Sequence, residues 1–314
     1  MTHIVITGAN GFIGQALTTQ LLQHGLDGHA IERLTLMDLS FDQPHRDPRV
    51  KQNSGSVADA DERANVFSTP SDVVFHLASV PGGAAEKNYE LGCSINLDAT
   101  LHLLEDLRGQ AKPPRFVFAS TIAVYGEQLP NRVDENTLPA PALSYGAHKL
   151  ACEYLVADAS RRGWVQGCSL RLPGVVARPG NGAGLMSAFM SQLFWKLAAG
   201  EPITVPVSTT GTAWWISAVA CAKNLIQAAT VDPLRFNPQR SYQMPALHLS
   251  MAQVVGALAL AFGADRKSLV TWAPEPLIER LFARYPPLHT PLAEELGFCH
   301  DGSVASLVAK ALVA

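Results

Sequence analysis

Cysteine is scarce in this chain and poorly spaced for a structural task. The five cysteines, Cys93, Cys152, Cys168, Cys221 and Cys299, are odd in number and lack C-x-x-C spacing. Reduced thiols are expected, not a disulfide framework or a thiolate zinc site. The ten histidines are dispersed and none stands four residues from another, so no metal site is read. Long hydrophobic runs are also missing. Stretches such as Val254 to Phe262 fall well short of the ~20 residues that span a bilayer. Net charge is slight, -3 at pH 7, which removes the electrostatic case for a nucleic-acid partner or an anionic membrane. The start, MTHIVITGAN, has no basic segment leading into a long apolar run, so a cytoplasmic location is expected.

What is present is ordinary material for a buried core: 314 residues, 47% hydrophobic and 16% charged, with 24 glycines. An apolar run from His3 to Thr7 predicts a strand; glycines follow, then a helical pattern over Phe12 to Leu22. Further strands are expected at Leu34 to Met37, ending on Asp38, and at Val50 to Asn53, Asp72 to Leu77, Arg115 to Ala119 and Gly167 to Leu172. One long helix is expected over 84–107, where Leu97, Leu101 and Leu104 recur at helical spacing, and another over Tyr145 to Arg162. Strands apolar on both faces, alternating with helices, predict an α/β fold built on a doubly wound parallel sheet.

The alternation ends after Pro173. Residues 1–172 are expected to form the sheet domain, with 207–263 partly returning to it, and 173–206 and 264–314 to form mainly a smaller cap. RPGNGAG at 178–184 reads as a loop, and Ser241 to Met244 as a returning strand. Ser250 is placed to cap a helix that stops at Gly263.

Residues 7–14, TGANGFIG, stand between the first strand and the first helix. Glycine there permits a tight turn and close approach of a diphosphate, and the helix N-terminus offers backbone N–H groups to the anion. The spacing is G-x-x-G-x-x-G rather than G-x-G-x-x-G, so its context carries the inference. Gly8, Asn10, Gly11, Phe12, Ile13 and Gly14 are the expected cofactor contacts. Asp38, at the end of the next strand, can accept both hydroxyls of an adenosine ribose and would repel a 2′-phosphate, which selects NAD over NADP.

In SYGAHK, at 144–149, Tyr145 and Lys149 lie one helical turn apart and project together. An ammonium beside a phenol favours phenolate and lowers its pKa from about 10. A phenol so tuned can take a proton from an alcohol or return it to a carbonyl. Upstream, FVFASTIAVYG at 116–126 ends the fifth strand on Ser120 and Thr121, at the sheet edge where open α/β folds place ligands.

TGANGFIG, Asp38, HLAS at 76–79, Asn96 in SINLDAT, AST followed by VYG, and YGAHK together resemble the extended short-chain dehydrogenase/reductases. The resemblance runs to at least Pro173 and implies a Rossmann-type doubly wound parallel sheet with a smaller C-terminal substrate-binding cap, and NAD as cofactor. It makes Thr121, Tyr145 and Lys149 the catalytic triad, with Ser120 an outside candidate for the threonine's place. Lys149 would also bind the nicotinamide ribose. Asn96 would support the active-site water or lysine, and His76, Leu77 and Ala78 would line the cofactor. The family often has Gly-Asp against adenine after its third strand; here Ser56 takes the acid's place. The resemblance also implies a homodimer formed through the helix near 84–107 and the Tyr145 helix.

Relatives that act on nucleotide-diphosphate sugars supply an arginine and an acid where this chain reads TGTAWWIS, at 210–217. A buried diphosphate without its cation is disfavoured. Trp215 is expected to shrink the pocket or, equally, to pack the cap. Arg178 is placed to grip a single carboxylate, unless it is a solvent-exposed loop residue. Gly82 lets the loop after the fourth strand approach a small substrate. VPGGAAEKNYELGCSINLDAT and LRLPGVVARPG resemble the branch that oxidises a four-carbon sugar acid at carbon 2, D-erythronate to 2-oxo-D-erythronate. The rivals are a nucleotide-diphosphate-sugar epimerase and a non-catalytic NAD-binding regulator. The intact triad argues against the second.

Overall fold

Strands β1 (His3–Thr7) and β4 (Val73–His76) are buried at every position, as the centre of a covered sheet requires. The computed structural model, which describes residues 2–180 and 185–312, sets them side by side in a seven-stranded sheet. The other members are β2 (Arg33–Asp38), β3 (Val50–Ser54), β5 (Arg115–Thr121), β6 (Gln166–Leu172) and the late β10 (Ser241–Gln243). Their order is β10-β6-β5-β4-β1-β2-β3. The pairs from β3 across to β5 are parallel. The order reverses beside β1, and there the crevice for a dinucleotide opens in folds of this kind.

The chain divides into two compact units. The first runs through Val124 and adds Pro141–Arg171 and Ala222–Tyr242; the second comprises Tyr125–Ala140, Leu172–Cys221 and the chain from Gln243 on. Most of the seven-stranded sheet lies in the first unit, and the part of the later chain that belongs to it is 222–242. Its helices include α1 (Phe12–His24), α2 (Ala60–Val66), α3 (Gly82–Lys87), α4 (Tyr89–Cys93), α5 (Ala99–Leu107) and α6 (Ser144–Arg161). Leu103, Leu104 and Leu107 of α5 and Cys152, Val156 and Ala159 of α6 pack with Phe116 and Phe118 of β5 in one buried cluster.

The single helix expected over 84–107 is broken. Asn88 leaves helical geometry at φ -137 and caps α4 through its side chain, which accepts from the Leu91 N–H. A π-helical turn, Ser94–Asp98, then joins α4 to α5. The leucine spacing was correct for α5 but blind to Asn88, whose short amide competes with the helix ladder.

The second unit holds a three-stranded sheet of β7 (Gly174–Val176), β9 (Thr212–Ser217) and β11 (Leu247–Ser250), and a pair of β8 (Ile203–Val205) and β12 (Val270–Trp272). Helices α7 (Ala188–Ala199) and α9 (Met251–Phe262) cover Trp215 in its core. Ser250 caps α9 in a full capping box with Gln253, and Gly263 ends it. Helix α8 (Ala218–Thr230) follows β9; buried Asp301 accepts the Ser217 N–H at 2.8 Å and its hydroxyl at 2.7 Å. Of the loop expected at 178–184, residues 181–184 lie outside the described residues. Among those described, no helix is long and apolar enough to cross a membrane.

Candidate active site

Gly8 turns the chain out of β1 at φ 71, and a Cβ placed on it would lie 2.6 Å from the Ala78 nitrogen. A Cβ on Gly14 would lie 2.4 Å from the Gly8 carbonyl oxygen. The loop is thus folded onto itself and onto the β4 edge more closely than any side chain permits. Gly11 caps α1 with no side chain of its own, so the first N–H groups of a 13-residue helix point to whatever occupies the loop. These residues fit a dinucleotide diphosphate. Phe12 and Ile13 open the helix and are half-buried.

Asp38 is oriented by two backbone donors, Asn10 N–H at 2.8 Å and Leu39 N–H at 2.7 Å, one to each carboxylate oxygen. Each oxygen retains a lone pair, which suits a ribose diol. The Asn10 side chain donates to the Ser40 carbonyl at 2.9 Å and so pins the loop to the strand end. Arg49 is tied to Asp47 at 2.7 Å and is no candidate for a 2′-phosphate. Ser56 opens the turn into α2, its hydroxyl accepting the Ala58 N–H at 3.2 Å. Leu77 and Ala78 edge the loop; their N–H groups go to the Thr7 carbonyl at 3.1 Å and the Thr7 hydroxyl at 3.4 Å.

His76 does not line this crevice. It is completely buried, and its ring is fixed in a directional chain of hydrogen bonds. The Thr100 hydroxyl donates to the Asn96 carbonyl at 3.2 Å, so it accepts from His76 Nε2 at 3.0 Å. Nδ1 is then the acceptor for the Thr7 hydroxyl at 2.6 Å. Burial, with Lys149 adding repulsion, holds the imidazole neutral by lowering its pKa to about 3. Asn96 is also buried, on the π-helical turn. Its amide brackets Val80, accepting the N–H at 2.7 Å and donating to the carbonyl at 3.0 Å. Asn96 therefore clamps the segment after β4 instead of reaching Lys149.

Tyr145 stands in the first turn of α6, half-buried. Helix α6 has no cap of its own at Leu143; Glu86 of α3 supplies one by accepting the Ser144 N–H. A Cβ on Gly82 would sit 3.7 Å from the Tyr145 Cβ, so the loop after β4 runs against the base of the phenol. Lys149 is only 1% exposed. Its ammonium lies 5.9 Å from the Tyr145 ring centre and 4.6 Å from that of Phe118, and donates to the Ala119 carbonyl at 2.8 Å. Burial brings its pKa down to about 8. Thr121 ends β5, half-buried, its hydroxyl oxygen accepting the Ala123 N–H at 3.1 Å. The hydroxyl proton remains to be donated.

Ser120 faces inward. It is 3% exposed, and its hydroxyl donates to Glu153, which Arg171 grips through Nη2 at 2.7 Å and Nε at 3.0 Å. Sequence reasoning passed over Glu153, although it lies one turn beyond Lys149 on the same face. In the second unit, the Arg178 N–H donates to Ser191 Oγ at 3.0 Å and its carbonyl accepts the Trp195 indole N–H at 3.0 Å. Trp215 has no exposed surface; it packs near Phe194 and donates to the Leu249 carbonyl at 3.1 Å. A side chain so enclosed builds the core and leaves a ligand nothing to touch.

The NAD dependent epimerase/dehydratase family matches this chain over residues 4–231. A D-erythronate dehydrogenase of Cupriavidus necator is 36% identical over 312 residues, spanning 98% of this chain and 96% of that protein. A D-erythronate dehydrogenase of Haemophilus influenzae is 29% identical over 307 residues, 97% of each chain. A solved structure described as the nucleoside-diphosphate-sugar epimerase from Agrobacterium tumefaciens superposes with a TM-score of 0.91 at 31% identity, covering 98% of this chain and 92% of that one.

Proposed function

The chain belongs to the NAD dependent epimerase/dehydratase family, and on that premise we propose that it oxidises a small sugar acid at its carbon-2 hydroxyl, D-erythronate to 2-oxo-D-erythronate. It is an NAD-dependent enzyme of the short-chain dehydrogenase type. The observation that carries the proposal is the buried Lys149 ammonium held beside Tyr145 and tied to the end of β5. The near full-length similarity to two proteins named D-erythronate dehydrogenase supports the substrate.

The glycine loop and the N-terminus of α1 would hold the diphosphate of NAD, and Asp38 would hold the adenosine ribose. NAD, when bound, would supply the acceptor for the hydrogen that leaves carbon 2 with its two electrons. Thr121 donates its hydroxyl proton to the substrate oxygen and so orients it. Tyr145 accepts the proton leaving that oxygen, and Lys149 stabilises the phenolate form that does so. Arg178 binds the carboxylate. No covalent intermediate with the enzyme is involved, so the cysteines have no part. The protein works as a homodimer, for which exposed Tyr89, Leu91 and Tyr154 offer apolar contact; light scattering of the purified protein tests this.

The decisive assay follows NADH absorbance with NAD and a panel of four-carbon sugar acids, both erythronate enantiomers and the threonates, beside nucleotide-diphosphate sugars. NADH formed with D-erythronate is the expected result. The Agrobacterium structure favours a second reading, an epimerase. That reading requires conversion of a diphosphate sugar without net NADH. Replacing Tyr145 with Phe is expected to lower turnover by roughly 100-fold or more while NAD affinity holds. Turnover close to that of the unchanged enzyme would reject Tyr145 as the base.

A further inference from the structure

Two consecutive residues at the end of β5 are tied to two residues one turn apart on α6. The Ala119 carbonyl accepts Lys149 at 2.8 Å, and the Ser120 hydroxyl donates to Glu153. Glu153 is 3% exposed and held from β6, the next strand of the sheet, by Arg171, whose Nε reaches its two oxygens at 3.0 and 3.2 Å and whose Nη2 reaches one at 2.7 Å. Such a pair loses hydration on both sides, and an apolar filling of the same volume commonly serves stability as well or better. What an apolar filling lacks is direction. A bidentate arginine and a hydroxyl together fix where a carboxylate sits, and the carboxylate fixes where the helix turn sits.

From this geometry we infer that Glu153 is a positioning residue for the reaction: it locks α6 in register on β5, so that Tyr145 and Lys149 are held in fixed relation to Thr121. The inference rests on the triad reading above. Glu153 reaches no reacting atom. Ser120, the outside candidate for the catalytic threonine's place, belongs to this lock and not to the substrate. A shift of about 1 Å in such an arrangement lowers turnover by on the order of 100-fold.

The test is Glu153→Asp, which keeps the charge but shortens the reach by one carbon, with Ser120→Ala as a milder second variant that leaves the Arg171 pair intact. Both are assayed on the compound of the panel that is turned over, with Tyr145→Phe beside them. In folded protein, Glu153→Asp is expected to lower kcat by about tenfold or more, with Kd for NAD unchanged and no shift in the pKa of the pH–rate profile. Ser120→Ala is expected to do the same to a smaller degree. Unchanged kcat in both variants overturns the inference. A lower kcat with a shifted pH profile also overturns it, because Glu153 would then be tuning charge. A loss of melting temperature with kcat retained assigns the network to stability alone. If Tyr145→Phe retains full turnover, the triad reading itself fails; if it is inactive while both lock variants behave like the unchanged enzyme, only the lock fails. Should Glu153→Asp not fold, Ser120→Ala decides by the same criteria.

Discussion

Lys149 carries its charge where charge is disfavoured. Its ordinary pKa of 10.5 falls to about 8 because the ammonium is buried with one carbonyl and an aromatic face for company. Unfolding returns the lysine to water, so between those two values the unfolded chain holds more protons than the folded one. Stability therefore rises with pH through that window and is lowest below about pH 8, by roughly 3 kcal/mol, for this one group. Lys149→Met is accordingly expected to abolish turnover yet raise the melting temperature of the cofactor-free protein at pH 7 by a few degrees. The gain should shrink as the pH is raised toward 10. A calorimetric pH series checks it, and a lower melting temperature at pH 7 would show that the bond to Ala119 outweighs burial. The same scale shows what residue type alone conveys. Tyr145 and Lys149 were legible because helical spacing fixes their common face. Thr121 was preferred to Ser120 only through the family resemblance. Only the fold shows that one hydroxyl is spent on Glu153 while the other ends the strand.

At the scale of elements, the strands of the sheet were legible within a residue or two, because runs buried on both faces leave little ambiguity. The region after β4 was not. The expected helix over 84–107 is three helices and a π-helical turn, and Asn96, expected to support the active-site water or lysine, uses its amide on Val80. That turn offsets the helix so that a buried amide meets the strand edge; its signature is a tertiary contact, which no periodicity records. Asn96→Ala would leave the Val80 N–H and carbonyl without that partner. A loss of about 1–3 kcal/mol in denaturant-measured stability is expected, with weaker NAD binding as the segment beside Ala78 loosens. The glycine loop gives a sharper case. Gly14→Ala drives a methyl into the Gly8 carbonyl, which is backbone and cannot swing aside. Kd for NAD is expected to rise by roughly tenfold, about 1.4 kcal/mol, measured by titration calorimetry.

For the whole molecule, the two units have separate hydrophobic cores, one around Phe116 and Phe118, the other around Trp215 and Leu193. Asp301 is the buried acid of the second, bonded to Ser217 and 3.6 Å from Lys310. Asp301→Ala is expected to cost on the order of 3 kcal/mol by stranding the Ser217 donors. With saturating NAD, whose expected contacts all lie in the first unit, calorimetry of this variant should resolve two transitions where the unchanged protein shows one. A single transition displaced as a whole would mean that the units unfold together. The chain crosses between the units several times, and composition hardly changes at each crossing. The crossings also divide the tryptophans. Trp164 lies in the first unit, and Trp195, Trp214, Trp215 and Trp272 lie in the second, where Trp214 and Trp215 are sealed from water. Four of the five tryptophans thus belong to the second unit, so the intrinsic fluorescence of this enzyme is expected to come mainly from that unit, and its red shift on heating or in denaturant will report chiefly the opening of that unit.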